Sequence, residues 1–157
     1  MQKISPFLWF DGNAEEAMNF YTSIFSDSKI ISVHRAGPEG KVISGTFSLF
    51  GHQYMVLNGG PQYQFTPAVS LFVNCETQAE VDDLWEKLSE GGEPQRCGWV
   101  QDKFGLSWQI IPTTLGELLH TQDRERGARV MNAMLGMQKI DIAALRRAYE
   151  GTDTPYI

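Results

Sequence analysis

The stretch ISPFLWFDGNAEEAMNFYTSIF, residues 4–25, decides the fold, because its pattern returns as AVSLFVNCETQAEVDDLWEKLS, residues 68–89, at a constant offset of 64. Asn13 matches Thr77 and Glu16 matches Glu80, while Ala17, Phe20, Tyr21 and Ile24 match Val81, Leu84, Trp85 and Leu88. Ahead of these, Phe7 and Trp9 match Leu71 and Val73. Each copy reads as a short strand followed by a helix. Asn and Thr cap the orphan N–H groups at a helix start, and a glutamate three residues later completes a capping box. One stripe carries Ala14, Ala17, Met18, Tyr21, Ile24 and Phe25; the other carries Val81, Leu84, Trp85 and Leu88. Both follow the i, i+3, i+4, i+7 spacing of a helix lying on a sheet.

Outward from the first copy, β-rich runs cover 28–36, 41–50 and 52–58, separated by the turn Gly37-Pro38-Glu39-Gly40 and by Gly51. After the second copy, Gly91-Gly92-Glu93-Pro94 is a helix stop, and 95–101 and 105–111 read as strands around the turn Asp102-Lys103-Phe104-Gly105. The joint from Asn58-Gly59-Gly60-Pro61 to Pro67 is too rich in Gly, Pro and Gln for the interior of an element. The expected class is α+β: two tandem βαβββ modules, at about 1–60 and 66–113, within a single domain spanning 1–157. Residues 114–150 form a C-terminal helical extension. Thr114 to Glu117 reads as a capping box that opens a helix through Leu119. Asp123 caps a helix with the stripe Val130, Met131, Met134 and Leu135, ended by Gly136, and Asp141 caps a last helix carrying Ile142, Leu145 and Tyr149. Arg124, Glu125, Arg126, Arg129, Arg146 and Arg147 are expected to face water.

Composition narrows the function. Apolar residues make up 42% and charged residues 20%, which is globular rather than disordered. A formal charge of −6 repels phosphate backbones, so nucleic acid is excluded as a general partner. Cys75 and Cys97 make no disulfide framework and no zinc pattern, and are expected as reduced thiols in the cytoplasm. The start MQKISPFLWF lacks a signal-peptide pattern, and no run approaches the roughly 20 apolar residues that cross a bilayer.

The run from Ile4 to Ala17 followed by Phe20-Tyr21 resembles the PhnB-like branch of the vicinal oxygen chelate superfamily. That superfamily also holds glyoxalase I, extradiol dioxygenases, fosfomycin-modifying enzymes and bleomycin-binding proteins. Asp102 to Pro112 resembles the branch's final strand, and Arg129 to Leu135 and Lys139 to Leu145 resemble its tail. Members often carry the label 3-demethylubiquinone-9 3-methyltransferase. The resemblance implies that the two modules form an eight-stranded half-barrel cup and that the protein is a homodimer.

In metal-using relatives, the resemblance implies one ligand from the first strand and one from the last strand of each module, commonly His and Glu. Here the first-strand positions are Ile4 to Trp9 and Ala68 to Val73, without His, Asp, Glu or Cys. Aligning Gly51 with Gly105 pairs Met55 with Gln109, where the resemblance would put a glutamate. An amide and a thioether are poor ligands for a hard divalent ion. His34, His52 and His120 share no converging spacing. No metal and no cofactor are expected. A Rossmann-type methyltransferase needs a strand, a glycine-rich turn and a helix, whereas Asn58-Gly59-Gly60-Pro61 leads to Pro67 and a strand.

The remaining site is an apolar pocket with a few polar groups. Its candidate ligand-binding residues are Phe7, Trp9, Met55, Trp99 and Gln109. Trp108 is assigned to a strand face that meets a helix. The candidate catalytic residues are Cys97, which follows the cation of Arg96, with Asp102 at the rim and Gln109 as an amide partner for a carbonyl. No His or Asp base stands at a recognisable spacing from Cys97, and Asp102-Lys103 reads as a turn pair in water. Three functions compete: a metal-free binder of an unknown small molecule; an isomerase, lyase or transferase using residues outside the metal positions; and an interaction module acting through the C-terminal helices. The third requires that removing 123–157 leave the pocket intact.

Overall fold

The structure is a computed structural model that describes residues 2–152; Met1 and residues 153–157, which the expected domain includes, lie outside the described residues. The chain divides into two compact units, Met1–Phe65 and Thr66–Ile157. The first holds β1 (Phe7–Phe10), α1 (Ala14–Ile24), β2 (Ser28–Ala36), β3 (Lys41–Leu49) and β4 (His52–Asn58). The second repeats that order as β5 (Ser70–Cys75), α2 (Gln78–Ser89), β6 (Glu93–Pro94), β7 (Trp99–Gln101) and β8 (Ser107–Pro112). It then adds α3 (Thr113–Leu119), α4 (Arg124–Leu135) and α5 (Ile142–Glu150). The class is α+β, with the βαβββ pattern read from the sequence.

Each unit forms one four-stranded sheet, in the orders β1-β4-β3-β2 and β5-β8-β7-β6. The first and last strands of a unit pair in parallel, and the other pairs are antiparallel. A parallel pair needs a crossover, and the helix supplies it on one face. In the first unit, Ala14, Ala17, Met18, Tyr21 and Ile24 of α1 are buried with Leu8, Phe10, Phe47 and Val56. In the second, Val81, Leu84 and Leu88 of α2 are buried, and α2 lies along β7 and β8, whose Val100, Trp108 and Ile110 are buried.

The repeat is real but its offset is not constant. It is 64 over the helix starts, where Asn13 and Thr77 hold the cap positions. Across the strands, Phe7 pairs with Met55 and Phe72 pairs with Gln109. Because Met55 and Gln109 correspond, Phe7 corresponds to Phe72 and Trp9 to Asn74, an offset of 65; the match of Phe7 and Trp9 with Leu71 and Val73 is corrected. The cause is one extra residue in the first strand-to-helix link, Asp11-Gly12 against Glu76 alone.

The caps also differ. Thr77 Oγ1 accepts from the Glu80 N–H (3.2 Å), and Glu80 Oε2 accepts from the Glu76 N–H (3.0 Å), so the second box forms. Asn13 makes no side-chain cap; instead Asn58 Oδ1, at the end of β4, accepts from the Ala14 N–H (2.9 Å). The third expected box is absent because α3 begins at Thr113 behind Pro112, which puts Thr114 inside the helix and buries it. Asp123 and Asp141 cap α4 and α5 as expected.

The expected strand 95–101 is interrupted. Cys97 and Gly98 both have positive φ, 59° and 83°, and turn the chain between β6 and β7. The α4 stripe is narrower than expected: Val130 is fully buried, whereas Met131 and Leu135 are exposed. Arg129 does not simply face water. Its Nε and Nη2 donate to the Ala148 and Tyr149 carbonyls (both 2.8 Å) and so help satisfy the end of α5. Gln78 ties α2 to α5, donating to the Ile140 carbonyl (2.9 Å) and accepting from the Ile142 N–H (2.8 Å).

No helix among the described residues is long and apolar enough to cross a membrane. The segment Asn58-Gly59-Gly60 has a packing role. A Cβ on Gly59 would stand 2.3 Å from the Trp9 ring, and Trp9 Nε1 donates to the Gly60 carbonyl (2.9 Å). Gly59→Ala is therefore expected to destabilise the fold by about 1–3 kcal/mol; an unchanged urea midpoint would contradict that packing.

Candidate small-molecule site

The site begins with the open face of the second sheet. Phe72, Gln109 and Trp99 are ladder partners in one row across β5, β8 and β7, and Asn74 and Ile111 pair in the next. These side chains point away from the face that α2 covers, as alternation requires. Gln109 Nε2 donates to Ser70 Oγ (2.9 Å), which orients the amide and leaves its oxygen as an acceptor.

The C-terminal extension supplies the walls. Leu115 and Leu119 of α3 and Met134 of α4 join Phe72, Trp99 and Gln109 around a cavity of about 540 Å³. Behind that wall, Ile111, Leu115, Val130, Ile140 and Leu145 form one buried cluster. The tip between β6 and β7 is fixed from the same side. Met137 O accepts from the Cys97 N–H and Gln138 O from the Gly98 N–H, both at 2.8 Å. A Cβ on Gly98 would lie 2.6 Å from Ile111 Cδ1 and 3.0 Å from the Ile110 carbonyl, so only glycine allows this approach.

Of the residues expected from the sequence, the structure brings Trp99, Gln109 and Cys97 to this cavity. Phe7 and Met55 are ladder neighbours on the first unit's sheet and exposed by 53% and 40%. Trp9, also in the first unit, covers Gly59 and meets Tyr63 edge to face at 4.9 Å. Phe72 and Asn74 escaped the sequence reading because of the one-residue slip. Leu115, Met134 and Glu117 escaped it because helix docking has no local signal.

Asp102 is not a rim residue or a turn carboxylate in water. It is 3% exposed, and its oxygens accept from the Phe104 N–H (2.9 Å), the Leu106 N–H (3.0 Å) and Trp108 Nε1 (2.8 Å). It organises the β7–β8 turn and pins Trp108 on the helix-covered face. Cys97 is partly buried in the cavity wall, whose lining holds no histidine. Cys75 is buried outright; burial, then the Glu80 carboxylate, pushes its thiol up to about 12. That makes it a poor nucleophile at neutral pH.

A family model described as 3-demethylubiquinone-9 3-methyltransferase matches residues 2–111. The PhnB protein from Bacillus cereus is 42% identical, with a TM-score of 0.65 over 71% of this chain and 99% of its own. A protein from Pseudomonas aeruginosa is 20% identical, with a TM-score of 0.61 over 71% of this chain and 98% of its own. The fosfomycin resistance protein FosX from Listeria monocytogenes, crystallised with Mn(II) and sulfate, shares the fold at 15% identity, with a TM-score of 0.51 over 69% of this chain and 89% of its own. No curated protein matches. The chain belongs to the 3-demethylubiquinone-9 3-methyltransferase family, and the PhnB protein is one of its relatives.

Neither group suggested by these names fits the residues present. The corresponding strand pairs offer Phe7 with Met55 and Phe72 with Gln109, a donor set of one thioether and one amide. Among the described residues, no three His, Cys, Asp or Glu side chains gather. For a nucleotide-like methyl donor, the chain would need a helix after its glycine turn. Gly59 and Gly60 lead to β5, and the missing Cβ of Gly59 makes room for Trp9.

Replacing Asp102 with alanine leaves the part-buried Phe104 N–H, the buried Leu106 N–H and the buried indole N–H without their carboxylate. D102A is expected to lose about 3 kcal/mol or more in urea unfolding, with D102N recovering part of it. A change below 1 kcal/mol would return Asp102 to the list of free acids.

Proposed function

We propose that this protein binds a small, largely apolar molecule in the cavity of its second unit, without a metal ion. The observation that carries the reading is the cavity itself. About 540 Å³ falls within the usual range for small-molecule sites, and Trp99, Phe72, Met134 and one oriented amide are the usual chemistry of such a lining. Stacking on Trp99 and burial against the leucines supply affinity, and the Gln109 oxygen supplies direction. The interaction-module reading is disfavoured because α3 and α4 are part of the cavity wall. Removing residues from 123 onward takes away Met134 and the carbonyls that hold Cys97 and Gly98.

The test uses N-phenyl-1-naphthylamine, a neutral fluorophore that brightens in apolar sites. Saturable binding of one probe per chain is expected, insensitive to a chelator. Asn74→Trp fills the cavity from an exposed strand position and is expected to weaken binding about tenfold or more, a loss of roughly 1.4 kcal/mol, with the circular dichroism unchanged. Equal binding by wild type and N74W would remove the cavity from the account.

The same reading takes a cytoplasmic homodimer. Two free thiols suit a reducing compartment. Two-fold homodimers are the commonest oligomers, and Phe7 and Met55, ladder neighbours on the first unit's sheet and 53% and 40% exposed, give apolar area for an interface. Light scattering is expected to give twice the chain mass of 17.7 kDa; a monomer at micromolar concentration would refute the dimer.

A further inference from the structure

The cavity also carries a charge preference, an inference that rests on the small-molecule reading and adds the ligand's ionic class to it. Glu117 lines the cavity, and every other lining side chain is neutral or a thiol. Its freedom follows from the place where α3 starts. With Pro112 at the cap position, Glu117 falls in the second turn instead of closing a capping box. Among the described residues, no hydrogen bond or ion pair engages its carboxylate. Glu117 is exposed, so its carboxylate is accessible to a molecule entering the cavity.

Gln109 adds an acceptor: one of its two amide N–H groups is committed to Ser70, and its oxygen is available to a donor. Trp99 and Phe72 line the same cavity, and aromatic rings attract cations by their quadrupoles. A carboxylate, an amide oxygen and aromatic rings are together complementary to a donor that carries positive charge. An anion would meet no cation in the lining. The chain's net charge of −6 also raises the local concentration of cations.

We propose that the cavity selects an organic ammonium, an aromatic or branched apolar body bearing a protonated amine, and that Glu117 sets this selectivity. The cation stands near the α3 wall, and the apolar body lies on the sheet.

The experiment displaces N-phenyl-1-naphthylamine with three probes of matched size: 2-phenylethylamine, 2-phenylethanol and 3-phenylpropanoate. On wild type, the amine is expected to compete about tenfold better than the alcohol, and the acid worst, with the amine's advantage shrinking as salt rises. E117Q is expected to cut the amine's affinity about fivefold to tenfold while leaving the alcohol unchanged. E117K should invert the order of amine and acid. Both substitutions are at an exposed helix position, so circular dichroism should match wild type. Equal competition by amine and alcohol, on wild type and E117Q alike, overturns the charge preference and leaves the small-molecule reading standing. Absence of fluorophore binding to wild type overturns both.

Discussion

The parallel pairing of each unit's first strand with its last is the constraint from which the remaining structure follows. Parallel neighbours cannot be joined by a tight turn, so the chain must cross over, and the crossover helix covers one face of the sheet. α1 and α2 do this, burying Leu8, Phe10 and Val56 in one unit and Val100, Trp108 and Ile110 in the other. The opposite face is left for other uses. What stands there is fixed by register, since a slip of one residue turns every side chain of a strand to the other side. Phe7 with Met55, and Phe72 with Gln109, are the result.

The two units use that free face differently. In the second, α3 and α4 line a cavity on it and turn a sheet surface into a pocket. The pocket's geometry depends on contacts outside it. Asp102, buried with three donors, fixes the β7–β8 turn and the Trp108 ring on the covered face. Met137 and Gln138 hold the β6–β7 tip by backbone hydrogen bonds. A buried carboxylate is tolerated here because its hydrogen bonds replace its hydration. Its role is therefore structural, and the sequence reading of a solvated turn missed this because two of its donors are backbone groups.

Asn13 shows how a residue can have the right type and still not do the expected work. It occupies the cap position, yet Asn58 from β4 makes the bond to the Ala14 N–H, joining strand end to helix start. Glu117 is the converse. Read as the far end of a capping box, it is released by the earlier start of α3 and becomes the charged group of the cavity. Both cases turn on a helix terminus: α3 starts two residues earlier than a Thr114 cap would place it, and at α1 the cap position is held without a side-chain bond.

The sequence by itself determined what depends on local periodicity and capping chemistry. The α1 and α2 stripes, the Thr77–Glu80 box, the Asp123 and Asp141 caps and the duplicated strand–helix order were all legible. So was the pairing of Met55 with Gln109, because Gly51 and Gly105 mark equivalent turns. Tertiary structure alone decided which faces meet. It placed Trp99, Gln109 and Cys97 in one cavity, put Trp9 over Gly59, buried Asp102 and brought Met134 and Leu115 to the sheet. The reason is that Trp9 and Gly59, or Met134 and the sheet, are far apart in the chain, while Asp102 meets its nearby donors only once the turn has folded. No spacing rule reports them, and a single inserted residue, as at Asp11-Gly12, changes the register without changing the pattern.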